Sequence, residues 1–311
     1  MKQLIWIYLK GVAMGAADVI PGVSGGTIAF ITGIYERLIQ AIKSINLKNL
    51  KLFFTGKFSL FWKNIDATFL LCLVVGIATS FLTLAHLMTY LLENQPILVW
   101  SFFFGLILAS TFFVGKTVKW NWKTVISFLL FTVVAFFITS PENKPLTAGS
   151  AYWYIFLCGA IAICAMILPG ISGSFILVLL GQYYFLLNAV KTLDIVIILI
   201  FIAGAVIGIV SFSNVLSWLF KHLKMITLAA LTGFMFGSLN KIWPWKQTLQ
   251  THTDKDGITH ALTEKNISPL KFEELTGNTS QLLYAILLIV IGFALIFIIE
   301  FISLRFKKKR E

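Results

Sequence analysis

The sequence predicts an all-α polytopic membrane protein made of two inverted-topology repeats. Each repeat is a Pro/Gly-broken, re-entrant helical hairpin followed by three transmembrane helices. Three observations predict it. Of 311 residues, 58% are hydrophobic and only 12% are charged, where a soluble domain carries about 25% charged residues. Apolar runs such as 195–202 (IVIILIFI) do not alternate as barrel strands do, and suit helical spans of about 20 residues. The string Pro-Gly-x-Ser-Gly occurs twice, at Pro21 and again at Pro169. This composition excludes a soluble enzyme, a disordered chain and a nucleic-acid binder.

The first repeat is expected over 1–139. Its hairpin, 3–42, is broken at Pro21 and Gly22, because Pro lacks an N–H and disfavours helix at the residue before it. A basic loop, 43–66, follows, and then spans 67–92, 96–115 and 124–139. The second repeat, 140–311, has a hairpin over 152–190 broken at Pro169 and Gly170, and spans 195–220 and 225–243. A long polar loop, 247–280, precedes a last span, 281–303, and a basic tail.

Charge orients the scheme. The +12 net charge is concentrated in Lys43, Lys48, Lys51, Lys57 and Lys63, in Lys116, Lys119 and Lys123, in Lys221 and Lys224, and in the tail Arg305 to Arg310. These clusters share one face if each hairpin returns to the side it entered from. The positive-inside rule makes that face cytoplasmic, with both termini on it and 247–280 outside. Nine Trp residues lie at or near predicted span ends, as interfacial indoles do. Cys72, Cys158 and Cys164 sit in apolar runs with no metal-ligand spacing.

Self-similarity supplies the symmetry. Pro21–Leu38 aligned with 169–186 gives eight identities in eighteen positions: Pro21, Gly22, Ser24, Gly25, Ile28, Gly33, Tyr35 and Leu38. Gly11 matches Gly159 and Ala17 matches Ala165 at the same offset of 148. Beyond the basic loop the offset becomes 128, pairing Gly76 with Gly204, Gly105 with Gly233 and Ser110 with Ser238. A hairpin that returns to its own face, plus three spans, is an odd number of crossings. The second copy then enters inverted, as in many secondary transporters.

The chemistry concentrates at the breaks. Irregular backbone at membrane depth must be buried in protein or line a wet cavity. The arm after each break starts with unpaired N–H groups at the positive end of a helix dipole. Ser24, Gly25, Gly26 and Thr27 in one copy, and Ser172, Gly173 and Ser174 in the other, would offer amides and hydroxyls to an anion. Lys10 and Arg37 could reach that anion. Asp18, whose counterpart is Met166, and Glu36 are candidates to carry a coupling proton or bind sodium. No hydrolase elbow, metalloprotease motif or phosphate-binding loop ending in Lys-Ser/Thr occurs, so no enzyme, cofactor or metal is expected.

The string 10–38, above all Ala-Asp-x-x-Pro-Gly-x-Ser-Gly-Gly-Thr at 17–27, resembles the PopT-type undecaprenyl-phosphate translocase family. The second motif, 169–181, and the stretches 105–110 (GLILAS) and 233–238 (GFMFGS) are similar to it as well. The resemblance spans nearly the whole chain. Ser174 stands where the first copy has Gly26, so the second motif is the looser one. The resemblance implies return of undecaprenyl phosphate from the outer to the inner leaflet of the bacterial cytoplasmic membrane, for reuse in peptidoglycan and other envelope polymers. Membrane lipid and undecaprenyl phosphate would then be the partners. The residues alone leave a second reading open, an ion-coupled carrier of a small soluble anion or organic acid.

Overall fold

The computed structural model describes residues 2–18, 24–140, 142–143, 151–170, 172–253 and 259–308. Pro21, Gly22 and Arg310, named above, lie outside them. The chain is predominantly helical and divides into two compact units, Met1–Met88 with Leu146–Thr227, and Thr89–Pro145 with Leu228–Glu311.

The first unit holds both broken segments. Helix α1 (Lys2–Asp18) is followed past the first break by α2 (Gly25–Ile31) and α3 (Tyr35–Ser44). The counterparts of the second break are α9 (Tyr152–Ile167), α10 (Gly173–Leu179) and α11 (Tyr183–Lys191). The arm after each break is therefore two helices. The cause is a glycine in each copy. Gly33 at φ +70° and Gly181 at φ +67° adopt the left-handed conformation that ends a helix. The closing bonds are the same in both, Ile34 N–H to Ala29 O at 3.0 Å and Gln182 N–H to Leu177 O at 2.9 Å. At the second of these turns the chain bends by 112°.

Each first arm rests on a long helix through glycines. α1 lies on α6 (Ala67–Asn94), and α9 on α12 (Ile195–His222), both 28 residues long. A Cβ on Gly76 would strike the Tyr8 carbonyl, and one on Gly204 would strike the Phe156 carbonyl. Gly11 and Gly159 meet the Leu73 and Phe201 carbonyls in the same way. These contacts obey the sequence offsets residue for residue. They are the close backbone approach that small residues permit between membrane helices.

In the second unit, α7 (Pro96–Thr117) pairs with α15 (Leu282–Lys308) through Gly105 and Gly292, whose added Cβ atoms would strike the Ile289 and Phe102 carbonyls. α13 (Lys224–Ser238) pairs with α8 (Trp122–Ile138) through Gly233 and Gly237, against the Phe128 and Thr132 carbonyls. Each third helix thus packs on the second helix of the other predicted repeat.

Two connecting segments carry structure of their own. The segment 43–66 is not a plain loop, since it forms α4 (Leu47–Phe54) and α5 (Phe58–Asn64). The segment 247–280 adds a two-stranded hairpin to the helical chain. Strands β1 (Lys246–Thr253) and β2 (Thr259–Asn266) pair antiparallel, Lys246 opposite Asn266, and α14 (Pro269–Thr276) follows. Thr-rich strands favour the pleated backbone, and a cluster of Ile97, Trp245, Ile267 and Ala285 with Trp243 and Phe272 anchors them. The indole N–H groups of Trp243 and Trp245 donate to Ile267 O and Ser280 O at 2.9 Å each.

Pro96–Thr117 and Ile195–His222 are each long and apolar enough to cross a membrane. Counting each of the bent pairs Phe58–Asn64 with Ala67–Ser80, and Gly173–Leu179 with Tyr183–Val190, as one broken span would make four among the described residues. Shorter apolar helices cover Trp122–Ile138, Tyr152–Ile167, Lys224–Ser238 and Leu282–Ile298. The protein is a helical membrane protein.

Candidate functional site

The two breaks meet. Ser24 is fully buried and caps α2, its Oγ accepting from Gly26 N–H at 3.0 Å. The same hydroxyl donates to the Met166 carbonyl at 2.8 Å, at the end of the other first arm. Thr27, also fully buried, accepts from Gly170 N–H at 2.8 Å. Gly26 lies so close to the second break that an added Cβ would stand 2.5 Å from the Ile167 carbonyl. Residues 142 and 143 positions apart in sequence are thus joined by side-chain bonds that neither motif could make alone.

Asp18 occupies the mouth of α2. Its Oδ1 accepts from Gly25 N–H at 2.6 Å, and a side chain on Gly25 would collide with the carboxyl group. A carboxylate at the positive end of a helix is stabilised both by the dipole and by this charge-assisted bond. Before α10 the counterpart of Asp18 is Met166, near the end of α9, and no side chain caps α10. Ser172 and Ser174 instead pair hydroxyl to hydroxyl at 2.7 Å. That bond uses one of their two O–H donors and leaves the other. The two mouths differ chemically, one filled by an internal anion and one offering donors.

The charged candidates are placed elsewhere in the same unit. Lys10 Nζ donates to Thr32 O at 2.6 Å, neutralising the carbonyl end of α2. The matching carbonyl, Leu180 O, accepts from the Tyr154 hydroxyl at 2.8 Å. Arg37 grips Asp66 with two bonds of 2.6 and 3.0 Å and lies 4.3 Å from the Phe69 ring centre. Glu36 pairs with Lys224 at 2.8 Å. Sequence reading missed Asp66, although Asp194 stands 128 residues on at the start of α12 and caps it at Ile197 N–H. Among the described residues no group of His, Cys, Asp and Glu is arranged to hold a metal.

The string that spans this site, from Asp18 through Thr27, sits within the stretch 14–260 that matches a family described as undecaprenyl phosphate translocase-like. The chain belongs to that family. It is 48% identical over 294 residues to a polyprenyl-phosphate transporter of Vibrio cholerae serotype O1, covering 94% of this chain and 95% of the relative. It is 31% identical over 266 residues to a polyprenyl-phosphate transporter of Staphylococcus aureus, covering 78% and 88%. The family and both relatives are named for transport and not for catalysis. No solved structure matches the chain.

Proposed function

We propose that the protein carries undecaprenyl phosphate from the outer to the inner leaflet of the bacterial cytoplasmic membrane, recycling the lipid carrier of envelope polymers. The phosphate site is the joined pair of breaks: Ser172, Gly173 and Ser174 offer donors at the mouth of α10, and Ser24, Gly25, Gly26 and Thr27 add theirs when the bonds to Asp18 and across the joint open. Lys10 and Arg37 supply positive charge nearby. The two repeats are inverted, both termini face the cytoplasm, and the site is reached from each face in turn. Asp18 and Glu36 carry the coupling proton or bind the coupling sodium ion.

One observation carries this reading: the hydroxyls of Ser24 and Thr27 bond across to the backbone of the second break. A joint made by a few hydrogen bonds between two half-helices is where a rocking motion would open and close a site. The phosphate brings about −1.5 to −2 charges at neutral pH. It needs the amides of a helix mouth and a charge that moves with it. Movement of a large polyprenyl tail demands that it stay in lipid while the head crosses.

The deciding experiment places the protein in sealed liposomes with labelled undecaprenyl phosphate and follows head-group exposure on each leaflet. The intact protein should equilibrate the lipid rapidly, and Ser24→Ala and Ser172→Ala should slow it. Equal rates with and without folded protein, at every pH and ion gradient tried, would end the proposal and leave the soluble-anion carrier.

A further inference from the structure

Between α3 and α6 the chain builds a helical pair that has no interior. Asn46 caps α4 by accepting from Asn49 N–H at 3.1 Å, and Asn64 Nδ2 ties α5 back to Asn49 Oδ1 at 3.0 Å. Phe53 meets Phe58 and Phe61 edge to face, with ring centres 5.2 and 5.3 Å apart. Gly56, at φ +75°, turns the chain between the two helices. Yet no residue of either helix is buried. Leu47 is 80% and Phe54 78% exposed, and Phe58, Leu60 and Trp62 are exposed as well. So large an apolar surface marks a contact with something other than water.

The same pair carries Lys48, Lys51, Lys57 and Lys63, and the segment 47–64 contains no Asp or Glu. None of these four lysines forms an ion pair with a described residue. Basic charge interleaved with exposed Phe, Leu and Trp on short helices is the composition of segments that lie in a bilayer interface.

A second, independent observation fixes the orientation. The chain bends by 68° between α5 and the start of α6. Asp66, at the bend, is a non-glycine residue at φ +51°. It is held there by the two bonds from Arg37, whose guanidinium also rests on the Phe69 ring. With α6 crossing the bilayer, a 68° bend lays α5 far closer to the membrane plane than to its normal.

We infer that α4–α5 is a membrane-surface dock that seats its aromatic and Leu side chains in the headgroup layer and binds the phosphates of anionic lipids through the four lysines. The occupant is an anionic bilayer surface, chosen by charge complementarity and by the bend. This requires only that α6 crosses a membrane. It stands apart from which lipid is transported, and a failure of either claim leaves the other intact.

The test measures amide hydrogen exchange over 47–64 in the full chain, reconstituted in nanodiscs of phosphatidylcholine with or without phosphatidylglycerol. Anionic lipid should slow exchange roughly tenfold in this segment, since polybasic segments are drawn to such surfaces. Salt at ~1 M, where the Debye length falls to ~3 Å, should remove most of the difference. A variant with Lys48, Lys51, Lys57 and Lys63 all changed to Gln should lose it, while α1 and α12 exchange as before. Equal exchange of 47–64 in the two lipids, for the unmodified chain, would overturn the inference whether or not the variant folds. That result would instead point to a cytosolic protein as the occupant.

Discussion

The two broken segments share lengths, turns and glycine seams, and differ in what stands at the mouth of each short helix. In the first, the Asp18 carboxylate and the Ser24 hydroxyl take the leading amides of α2. In the second, Met166 stands in place of the carboxylate, and Ser172 and Ser174 pair with each other. At the far ends, the Lys10 ammonium does for α2 what the neutral Tyr154 hydroxyl does for α10. At the carbonyl ends both copies therefore keep a donor, and only one copy keeps a charge. Duplicated backbone with charge confined to one copy separates the scaffold from the residues that set its chemistry.

The largest effect should come from making the first copy resemble the second. Gly26→Ser copies Ser174, but its Cβ would lie 2.5 Å from the Ile167 carbonyl and 2.9 Å from that of Met166. Backbone must then move, at a cost of about 1–3 kcal/mol, and the joint between the breaks opens. We expect a clear drop in melting temperature and near-complete loss of lipid movement. The reciprocal Ser174→Gly gives up one hydroxyl pair, worth about 1 kcal/mol. Equal destabilisation by the two changes would break the comparison.

Next comes the charge at the second mouth. Met166→Asp gives α10 the carboxylate that α2 already has, and Met166→Leu preserves the apolar volume. If the donors of α10 receive the phosphate, the Asp variant should slow lipid movement roughly tenfold or more, since like charges repel strongly away from water. The Leu variant should be close to unchanged. Equal rates in the two would remove α10 from the site.

Asp18→Asn is the milder converse. Asn keeps an oxygen for Gly25 N–H while losing the charge, so the cap weakens by roughly 1 kcal/mol or less. With Asp18 as the coupling group, the variant's transport should no longer vary with pH in vesicles, even where its fold is intact. A pH profile identical to that of the unmodified protein would leave Glu36 as the coupling candidate.

The breaks themselves were legible because Pro-Gly in an apolar run leaves few alternatives. Gly33 and Gly181 were visible as identities, but their meaning as helix-ending turns was hidden, since an identity in a repeat does not state a backbone angle. The pair α4–α5 escaped because its lysines read as loop and its helical face has no core to mark a period. The β-hairpin escaped because KQTLQTHT carries a single Leu in eight residues. The bonds from Ser24 to Met166 and from Thr27 to Gly170 leave no local pattern at all. Arg37 was read as a ligand group because its partner, Asp66, stands 29 residues away.

The smallest predicted effect tests the part found only in the second copy, the inserted hairpin. Lys246, 7% exposed at its side chain, shares the Glu264 carboxylate with Lys241, at 3.4 and 3.5 Å, and its Nζ lies 4.4 Å from the Trp100 ring centre. Burial pushes Lys246 down to about 8, and it lowers Lys241 too. For Glu264 burial alone would raise the value, but the two ammonium groups outweigh it and bring it below the usual range. An unfolded lysine titrates near ~10.4. Between about 8 and that value the unfolded chain holds a proton that folded Lys246 has given up, so stability should rise with pH there. Lys246→Met should remove most of this rise and add about 1 kcal/mol at neutral pH, because it leaves Glu264 one partner and no surplus buried charge. Melting curves read from tryptophan fluorescence across this pH window check both. A slope unchanged by the substitution would assign the alkaline gain to Lys241 instead.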